Sequence, residues 1–289
     1  MAKPPGLVEA GATSDISVME RLADMQWAGL GIVAAAFACF ALIEWLAPAR
    51  RVPRGRRWVT NLTLYAIDTL AVRLIIPLAM VGTAIVATER GWGLLNQLSS
   101  PDWLGVPLAI LALDLALYAQ HWATHRLPML WRLHKVHHCD PAFDVTTAAR
   151  FHPVEIVVSM IYKCAMVAAL GLPALGVFAF ELIFTIATLF THANFALPPR
   201  TEAMVRRVLV TPDLHRIHHS ARMAETNSNY GTLLSGWDRL FGTYCGKARH
   251  DHVIGLEEYQ DTRPHRLGWS LALPFRTNLE TGTKTEQIG

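Results

Sequence analysis

Five apolar stretches, separated by short polar or charged segments, dominate the pattern along this chain. They are residues 27–47, 62–88, 103–120, 154–170 and 174–190. The first carries a single charge, Glu44, and with a helical rise of about 1.5 Å per residue it is long enough to cross the hydrocarbon core of a bilayer. It is longer than the apolar part of a signal peptide, and its basic segment follows it instead of preceding it. The pattern therefore predicts a retained membrane helix followed by further membrane segments.

The last two apolar stretches are separated only by Gly171, Leu172 and Pro173. This spacing predicts a helical hairpin that enters the membrane and returns to the same side. Lys163 and Glu181 lie equally far from Leu172 on opposite arms of the hairpin. Because charges at membrane depth are costly unless they are paired, we expect these two side chains to be neighbours.

A cluster of arginines directly after the first stretch predicts the orientation of the chain. Its members are Arg50, Arg51, Arg54, Arg56 and Arg57. Cytoplasmic loops are enriched in basic residues, so we expect this loop in the cytoplasm and the N-terminus outside. The second stretch, taken as one span despite Pro77, and the third then return the chain to the cytoplasm. The closed hairpin keeps the remaining chain, including the C-terminus, on that side.

The composition supports a membrane protein. Of the 289 residues, 52% are hydrophobic and 17% are charged, whereas a typical soluble domain has about 25% charged residues. The formal net charge is only +3, and the arginine cluster is a membrane anchor, so no nucleic-acid partner is expected. The four cysteines lack C-x-x-C spacing, which argues against both a disulfide framework and a thiolate zinc site.

These patterns divide the chain into three parts. Residues 1–26 form a polar N-terminal segment, of which the first twenty are expected to lack regular structure. Residues 27–261 form a membrane domain, and residues 262–289 form a C-terminal tail because periodicity is weak beyond Asp261. The predicted fold is all-α, a multi-pass membrane helical bundle with a cytoplasmic helical cap.

Three groups of histidines occur at helical spacing after the third apolar stretch begins. They are His121 and His125 (residues 121–125), His134, His137 and His138 (residues 134–138), and His215, His218 and His219 (residues 215–219). Spacings of three and four residues place the imidazoles of each group on one helix face. Pro128 should end the first helix soon after His125, and Thr211 followed by Pro212 is typical of a helix start.

Converging histidines of this number indicate a metal site. Solvated histidines on polar faces are the simple alternative, but buried rings would lose hydrogen bonds and protonated rings would repel one another. A transition metal removes both difficulties, because neutral imidazole is a favoured ligand. Eight or more nitrogens exceed the three or four that one zinc needs, so the cap should hold two metals. With no H-E-x-x-H motif, iron and oxygen activation fit better than hydrolysis, although the residues alone do not distinguish iron from zinc or manganese.

Asp114, Tyr118, His121 and His125 form one stripe of the predicted third membrane helix. A carboxylate below ligating rings would orient them. Asp114 could equally pair with Arg73 inside the bundle, and the pattern leaves both interpretations open.

Over roughly residues 30–250 the chain resembles the fatty acid hydroxylase/sterol desaturase superfamily of integral-membrane di-iron oxygenases. The resemblance rests on H-W-A-T-H, H-K-V-H-H, F-H-P-V-E, T-H-A-N-F and D-L-H-R-I-H-H-S, followed by N-Y-G and W-D-R-L-F-G-T-Y. It implies catalytic metal-ligand roles for His121, His125, His134, His137, His138, His215, His218 and His219, and also for His192. It further implies that His152 is either a ligand or a neighbour of the ligands. The candidates for supporting the ligands are Asp114, Tyr118, Asn194 and Asp213, with Asn194 holding a metal-bound water.

The resemblance implies two iron ions as the cofactor, with zinc as the alternative in isolated protein. It implies hydroxylation or desaturation of an unactivated C–H bond in a lipid or sterol-like substrate, with O2 and external electrons. Only eight residues separate His125 from His134, as in the hydroxylase branch; an acyl-lipid desaturase is the alternative. No haem-binding or nucleotide-binding pattern is recognisable, so we expect a separate electron donor of the ferredoxin, cytochrome b5 or reductase type.

Three other classes of protein compete with the oxygenase interpretation. A membrane metal transporter would need ligands at membrane depth along a path, whereas these histidines arrive at one predicted surface. A membrane zinc hydrolase and a lipid-binding protein without catalytic activity would be distinguished from an oxygenase by their metal content.

Overall fold

The computed structural model describes residues 7–98, 102–248 and 253–276, with the side chains of residues 7–26 excepted. The regular structure of these residues is helical. The α-helices are α1 (Leu7–Leu46), α2 (Gly55–Ile75), α3 (Ala79–Glu89), α4 (Leu94–Gln97), α5 (Asp102–Arg126), α6 (Pro128–His138), α7 (Pro153–Leu170), α8 (Ala174–His192), α9 (Pro199–Val205), α10 (Pro212–His218), α11 (Met223–Thr226), α12 (Gly236–Leu240) and α13 (Leu267–Ala272). Short 3₁₀ helices occur at Val145–Ala149, Glu257–Tyr259, Arg263–His265 and Leu273–Phe275. The predicted all-α bundle with a helical cap is confirmed.

Five helical segments are long and apolar enough to cross a membrane. They are Trp27–Leu46, Gly55–Gln97, Trp103–Arg126, Pro153–Leu170 and Ala174–His192. Large apolar side chains point outward along them, with Leu74 73% exposed and Trp103 74% exposed. Such a surface is stable against lipid and unfavourable in water. The protein is therefore an integral membrane protein, as the sequence predicts.

The second apolar stretch is not one continuous helix. Helix α2 ends at Ile75, and α3 starts at Ala79, on either side of Pro77. Proline lacks a backbone N–H and its ring clashes with the preceding helical turn, which explains the break. The two helices together still carry the chain from the arginine segment to the far end of the bundle, where α3 packs against both α7 and α8.

The predicted hairpin is present as α7 and α8. At its turn, Gly171 has a φ of +66° and packs against Gly93, which has a φ of +91°. A Cβ atom on Gly93 would lie only 2.1 Å from the backbone nitrogen of Gly171. The loop before α4 and the hairpin turn therefore meet at one end of the bundle. Across the hairpin, Lys163 and Glu181 interact electrostatically, as predicted.

The two ends of the chain differ from the sequence prediction. Helix α1 begins at Leu7, although residues 1–20 were predicted to lack regular structure. The segment from Leu7 to Leu46 contains no proline, so nothing interrupts the backbone hydrogen bonds ahead of the membrane span. Residues 1–6 lie outside the described residues.

The predicted C-terminal tail is partly folded. Residues 263–275 form three short helical turns, and Trp269 and Leu273 lie in an apolar cluster with Leu64, Val136 and Cys139. Helical turns of three to six residues are too short to produce a visible periodicity in the sequence. Residues 277–289 lie outside the described residues.

Candidate dimetal centre

Nine histidines from four helices meet at the end of the bundle opposite Gly171. Helix α5 contributes His121 and His125, and α6 contributes its three histidines, after an extended Leu127 and Pro128 redirect the chain as predicted. Helix α8 ends at His192. Helix α10 and the residue after it carry His215, His218 and His219, and the Thr211 hydroxyl caps α10 by accepting a hydrogen bond from the Leu214 N–H.

The nine side chains divide into two clusters. The five-histidine cluster consists of His121, His125, His134, His138 and His218; the four-histidine cluster consists of His137, His192, His215 and His219. Within each cluster one nitrogen from every ring lies within 4.8 Å of the others. Both clusters are therefore able to hold a metal ion. They adjoin each other, since the rings of His138 and His219 stack with centroids 4.4 Å apart.

The rings are oriented by backbone carbonyls. The Nδ1 atoms of four histidines lie at hydrogen-bond distance from carbonyl oxygens: His121 from Tyr230 at 2.7 Å, His137 from Arg150 at 3.1 Å, His192 from Thr188 at 2.8 Å and His218 from Ser228 at 2.7 Å. A carbonyl only accepts, so Nδ1 carries the proton in each ring. The Nε2 lone pair of each ring is consequently free for a metal.

The inward nitrogens have the spacing expected of ligands to a common ion. Nε2 of His121 lies 3.2 Å from that of His134 and 3.1 Å from that of His218. In the other cluster, Nε2 of His192 lies 3.2 Å from that of His137 and 3.1 Å from that of His215. Two imidazole nitrogens about 2.1 Å from one metal and at right angles to each other would be about 3.0 Å apart. The spacing fits metal coordination.

The electrostatics also fit a metal centre. Burial, followed by the neighbouring histidines, holds the pKa values of His137, His138, His215 and His219 well below their usual range. Burial lowers the pKa of His218 to about 3. The rings are thus neutral, which is the form that binds metals. Among the described residues, the ring nitrogens of His138 and His219 are buried and have no hydrogen-bond partner, a cost that metal coordination would remove.

A carboxylate that sequence reasoning did not assign contacts one of the rings. Oε1 of Glu155 lies 2.6 Å from Nδ1 of His134. Glu155 is in the first turn of α7, directly after Pro153. It stands in the F-H-P-V-E motif, and its place three residues after a histidine was the only available signal. Nothing in the sequence spacing links residue 155 to residue 134.

His152, a predicted ligand, is not brought to either cluster. Its Nδ1 atom accepts a hydrogen bond of 3.2 Å from the Val154 N–H and so caps the N-terminus of α7. Its Nε2–H then donates to the Leu271 carbonyl, also at 3.2 Å. Both ring nitrogens have partners, so the side chain serves the helix start and the packing of the C-terminal turns.

Asp114 and Tyr118 are also placed differently from the prediction. Oδ2 of Asp114 accepts hydrogen bonds from the indole of Trp237 at 2.8 Å and from the Leu234 N–H at 3.2 Å. Among the described residues, its hydrogen bonds go to this later segment of the chain and not to the histidines or Arg73. Tyr118 bonds to the Thr243 hydroxyl at 2.8 Å. Both residues hold the cap onto α5.

The side chains of the remaining two candidates, Asn194 and Asp213, bond to arginines. The Asn194 side chain accepts from the Arg50 N–H at 3.1 Å and donates to the Arg50 carbonyl at 2.7 Å. Both ends of the amide bond to the backbone of Arg50, so the side chain joins the segment after α8 to the segment before α2. Asp213 forms an ion pair of 2.9 Å with Arg216, one turn along α10, and its half-exposed carboxylate contacts no histidine.

A cavity of about 350 Å³ lies beside the five-histidine cluster, between α5, α6 and α7. Its lining is mostly apolar and consists of Ala119, Gln120, Ala123, Thr124, Leu130, Leu133, Glu155, Val158 and Tyr162. Glu155 belongs both to this wall and, through His134, to the metal cluster. Glu155, which is the one carboxylate in this lining, therefore lies between the cavity and His134.

The fold and the site define an integral membrane protein with paired histidine clusters for metal ions. Residues 106–243, which include all nine clustered histidines, match the family model described as fatty acid hydroxylase. This region is thus similar to fatty acid hydroxylases, and the predicted resemblance to the fatty acid hydroxylase/sterol desaturase superfamily is confirmed.

Relatives of this chain include lipid-modifying and sterol-modifying enzymes. It is 32% identical over 144 residues to the ornithine lipid hydroxylase OlsE of Rhizobium tropici, covering 50% of this chain and 43% of that protein. It is 32% identical over 148 residues to the alkylglycerol monooxygenase of Danio rerio, covering 51% and 31%. It is 28% identical over 180 residues to the Delta(7)-sterol 5(6)-desaturase erg3B of Aspergillus fumigatus, covering 57% and 48%. The matched regions thus span less than half the length of these relatives. No solved structure matches the chain significantly.

Proposed function

We propose that this protein is a membrane-bound di-iron oxygenase that hydroxylates an unactivated C–H bond of a lipid or sterol-like substrate, using O2 and external electrons. The observation that carries the proposal is the pair of adjoining clusters of imidazoles, with an apolar cavity next to one of them. An all-nitrogen pair of sites suits first-row transition metals. The family match over residues 106–243 supports iron as the metal.

In this proposal the nine clustered histidines hold the metals, five around one ion and four around the other. Iron bound there would supply the oxygen activation that attack on a C–H bond requires. The protein's own residues fix ring orientation through the carbonyls of Arg150, Thr188, Ser228 and Tyr230. Burial of the clusters excludes water, which protects a reactive site from side reactions.

The cavity between α5, α6 and α7 is the proposed binding site for the hydrocarbon part of the substrate. Its apolar lining suits an alkyl chain or ring system and offers few polar groups to a head group. Val158 in its wall is 42% exposed on the outer surface of the membrane helix α7, so a substrate would enter sideways from the bilayer. Helices α5, α6 and α7 supply the walls of this site.

Hydroxylation is favoured over desaturation by the names of two relatives, a lipid hydroxylase and an alkylglycerol monooxygenase. The short spacing between His125 and His134 points the same way. Desaturation remains the second candidate, because a relative of similar coverage is a sterol desaturase.

The orientation and the electron donor are part of the same proposal. The arginine segment before α2 supports a cytoplasmic location for the clusters and an N-terminus outside. Arg51, Arg126 and Arg222 are exposed at the cluster end of the bundle. Such a basic surface suits an acidic electron-donor protein, which it would attract electrostatically.

The test is metal analysis and Mössbauer spectroscopy of detergent-purified protein produced with iron-57. We expect about two irons per chain, since the clusters offer five and four nitrogens, with spectra that change on reduction and on exposure to O2. A strain that expresses the protein should also accumulate a hydroxylated lipid, and a strain that expresses His125→Ala should not.

His152→Asn is the matched control. Asparagine preserves the helix cap, and His152 lies outside both clusters, so this variant should keep both irons. Folded wild-type protein without metal above background would contradict the proposal. Zinc alone calls for reconstitution with ferrous iron, and failure to bind iron then would contradict it equally.

A further inference from the structure

We propose that the two metal sites are unequal, and that Glu155 is a positioning residue that makes the five-histidine cluster the tighter site. The inference rests on the proposed function, because it assumes that both clusters bind metals. It adds that one buried carboxylate distinguishes the two clusters, and that the distinguished cluster is the one next to the cavity.

The two clusters differ in the hydrogen-bond partners of their imidazole rings. Among the described residues, Glu155 is the only carboxylate bonded to a clustered histidine, through the 2.6 Å contact with Nδ1 of His134. In the four-histidine cluster, the Nδ1 partners of His137 and His192 are backbone carbonyls. Among the described residues, the five-histidine cluster therefore has a carboxyl side chain as a supporting group, and the other cluster has none.

A carboxylate in this position would orient the imidazole ring and would thereby strengthen the binding of a metal to its opposite nitrogen. A hydrogen bond to an ionised acceptor is shorter and stronger than one to a carbonyl. It fixes the ring and increases the electron donation of the opposite nitrogen, and loss of such a group typically weakens metal binding by about 10-fold to 100-fold. The added negative charge also stabilises a cation bound on the far side of the ring.

The local fold holds Glu155 in this position. His152 caps α7, Pro153 occupies its first position, and Glu155 lies in its first turn. A negative side chain is favoured there by the helix dipole. Glu155 is only 8% exposed, so its carboxylate is held between the helix start and His134.

The second carboxylate oxygen links this metal site to the cavity. Among the described residues Oε2 of Glu155 has no hydrogen-bond partner, and Glu155 lines the cavity between α5, α6 and α7. No residue of the four-histidine cluster is in that lining. This geometry places the metal of the five-histidine cluster, and not that of the other cluster, next to the proposed substrate cavity.

Three variants separate the contributions of Glu155. Glu155→Gln removes the charge but keeps an oxygen that accepts from His134, and Glu155→Ala removes both. Asp68→Asn is the matched control, because Asp68 is a buried carboxylate on α2 that interacts electrostatically with Glu155 but contacts no clustered histidine. The probe is zinc, which is redox-inert, titrated into the metal-free protein against a chromophoric chelator.

We expect wild-type protein and Asp68→Asn to bind two zinc ions with the same pair of affinities. Glu155→Gln should weaken one of the two by about 10-fold or more, and Glu155→Ala should weaken the same one further. Iron-57 Mössbauer spectra should change correspondingly, with one of two signals altered in Glu155→Gln.

The weakened site is assigned by repeating Glu155→Gln in proteins that keep one cluster only. In a His215→Ala, His219→Ala background the substitution should weaken zinc binding, and in a His125→Ala, His138→Ala background it should not. Unchanged zinc affinities in Glu155→Gln, or equal weakening of both sites, would overturn the inference. Failure of the proposed function is distinct, because it appears as absence of metal in the wild-type protein itself.

Discussion

At the residue scale, the candidate site depends on groups that are not ligands. Four of the nine clustered rings donate Nδ1–H to main-chain carbonyls, and one bonds to Glu155. These contacts select the tautomer that points Nε2 inward. Since the carbonyls come from the backbone, side-chain substitution at Tyr230 or Ser228 would leave these orienting bonds in place. Glu155 is the exception, because there the orienting group is a side chain.

A buried network of ion pairs and hydrogen bonds lies next to the histidines at the end of α6. The Arg57 guanidinium bonds to Asp140 at 2.7 Å and also to Asp144. Arg150 donates to the Val136 carbonyl at 2.8 Å, and its own carbonyl accepts from His137. Arg57 belongs to the segment assigned to the cytoplasmic loop by charge, yet its side chain is fully buried. The network fixes the end of α6, where His137 and His138 lie.

Asp140→Asn should therefore destabilise the metal-free protein by about 3–5 kcal/mol, because it leaves a buried guanidinium without its full countercharge. Burial opposes ionisation of Asp140, but the Arg57 and Arg150 guanidinium groups hold its pKa below the usual 3.8. A lowered folded-state pKa stabilises the fold above the unfolded-state value, and this stabilisation is lost as the pH falls through the folded-state value. The difference between wild type and variant should thus shrink at pH values below the ordinary aspartate pKa.

Thermal unfolding in detergent with a chelator present measures this difference. Asp261→Asn is the control, since its ion pair with Arg263 is exposed and should contribute less than about 1 kcal/mol. Equal effects of the two substitutions would show that the buried network does not stabilise the fold.

At the element scale, the short helices α6 and α10 each contribute histidines to both clusters. His134 and His138 of α6 turn to the five-histidine cluster, while His137 turns to the other. In α10 and the residue after it, His218 joins the first cluster, and His215 and His219 join the second. In each group, the two histidines that are four residues apart belong to the same cluster, and the histidine between them belongs to the other cluster. This follows from the angular spacing of side chains around a helix. A displaced α6 would thus disturb both sites together.

The α7–α8 hairpin depends on a charge pair inside the membrane region. Lys163 and Glu181 interact electrostatically across the two arms. Replacing either one by an uncharged residue should destabilise the protein more than replacing both, because a lone charge in this environment is costly. We expect a coupling of about 0.5–3 kcal/mol in a double-mutant cycle of Lys163→Met and Glu181→Gln. Additive losses in detergent unfolding would show that the two charges are independent.

At the scale of the whole molecule, the clustered histidines all lie at one end of the helical bundle, and the hairpin turn lies at the other. Gly93 and Gly171 meet at one end, and the histidines of α5, α6, α8 and α10 meet at the other. Helices α7 and α8 carry the chain away from the clusters and back again, so all nine clustered histidines lie at the same end of the bundle. None of them has to lie along a path through the membrane. This arrangement suits a surface-located catalytic centre better than a transport pathway.

Cysteine labelling in sealed vesicles of known orientation tests the proposed topology. We expect Met223→Cys, which is exposed at the cluster end, to react with an impermeant thiol reagent from the cytoplasmic side. Gln97→Cys, exposed at the opposite end, should react from the outside. Each is compared with the parent protein, since native Cys39 is exposed. Labelling of Met223→Cys from the outside only would invert the orientation while leaving the fold unchanged.

The features that depend on local spacing could be predicted from the amino-acid pattern. Apolar length predicted the membrane segments, the short link at Gly171–Pro173 predicted the hairpin, and histidine spacing predicted which rings share a helix face. Pro128 and Thr211 marked the boundaries of α6 and α10 correctly, because proline geometry and helix capping act over a few residues. The resemblance drawn from the ordered histidine motifs agrees with the family model that residues 106–243 match.

The contacts between residues that are distant in the chain could not be predicted from the amino-acid pattern, because they depend on how the helices pack. The division into five and four histidines, the contact between Glu155 and His134, and the exclusion of His152 each depend on the approach of separate helices. Asp114 lies on the stripe of His121 and His125, yet it bonds to Trp237, over a hundred positions away in the chain. Helical periodicity fixes the direction of a side chain from its own axis, but the partner it meets depends on how the helices pack.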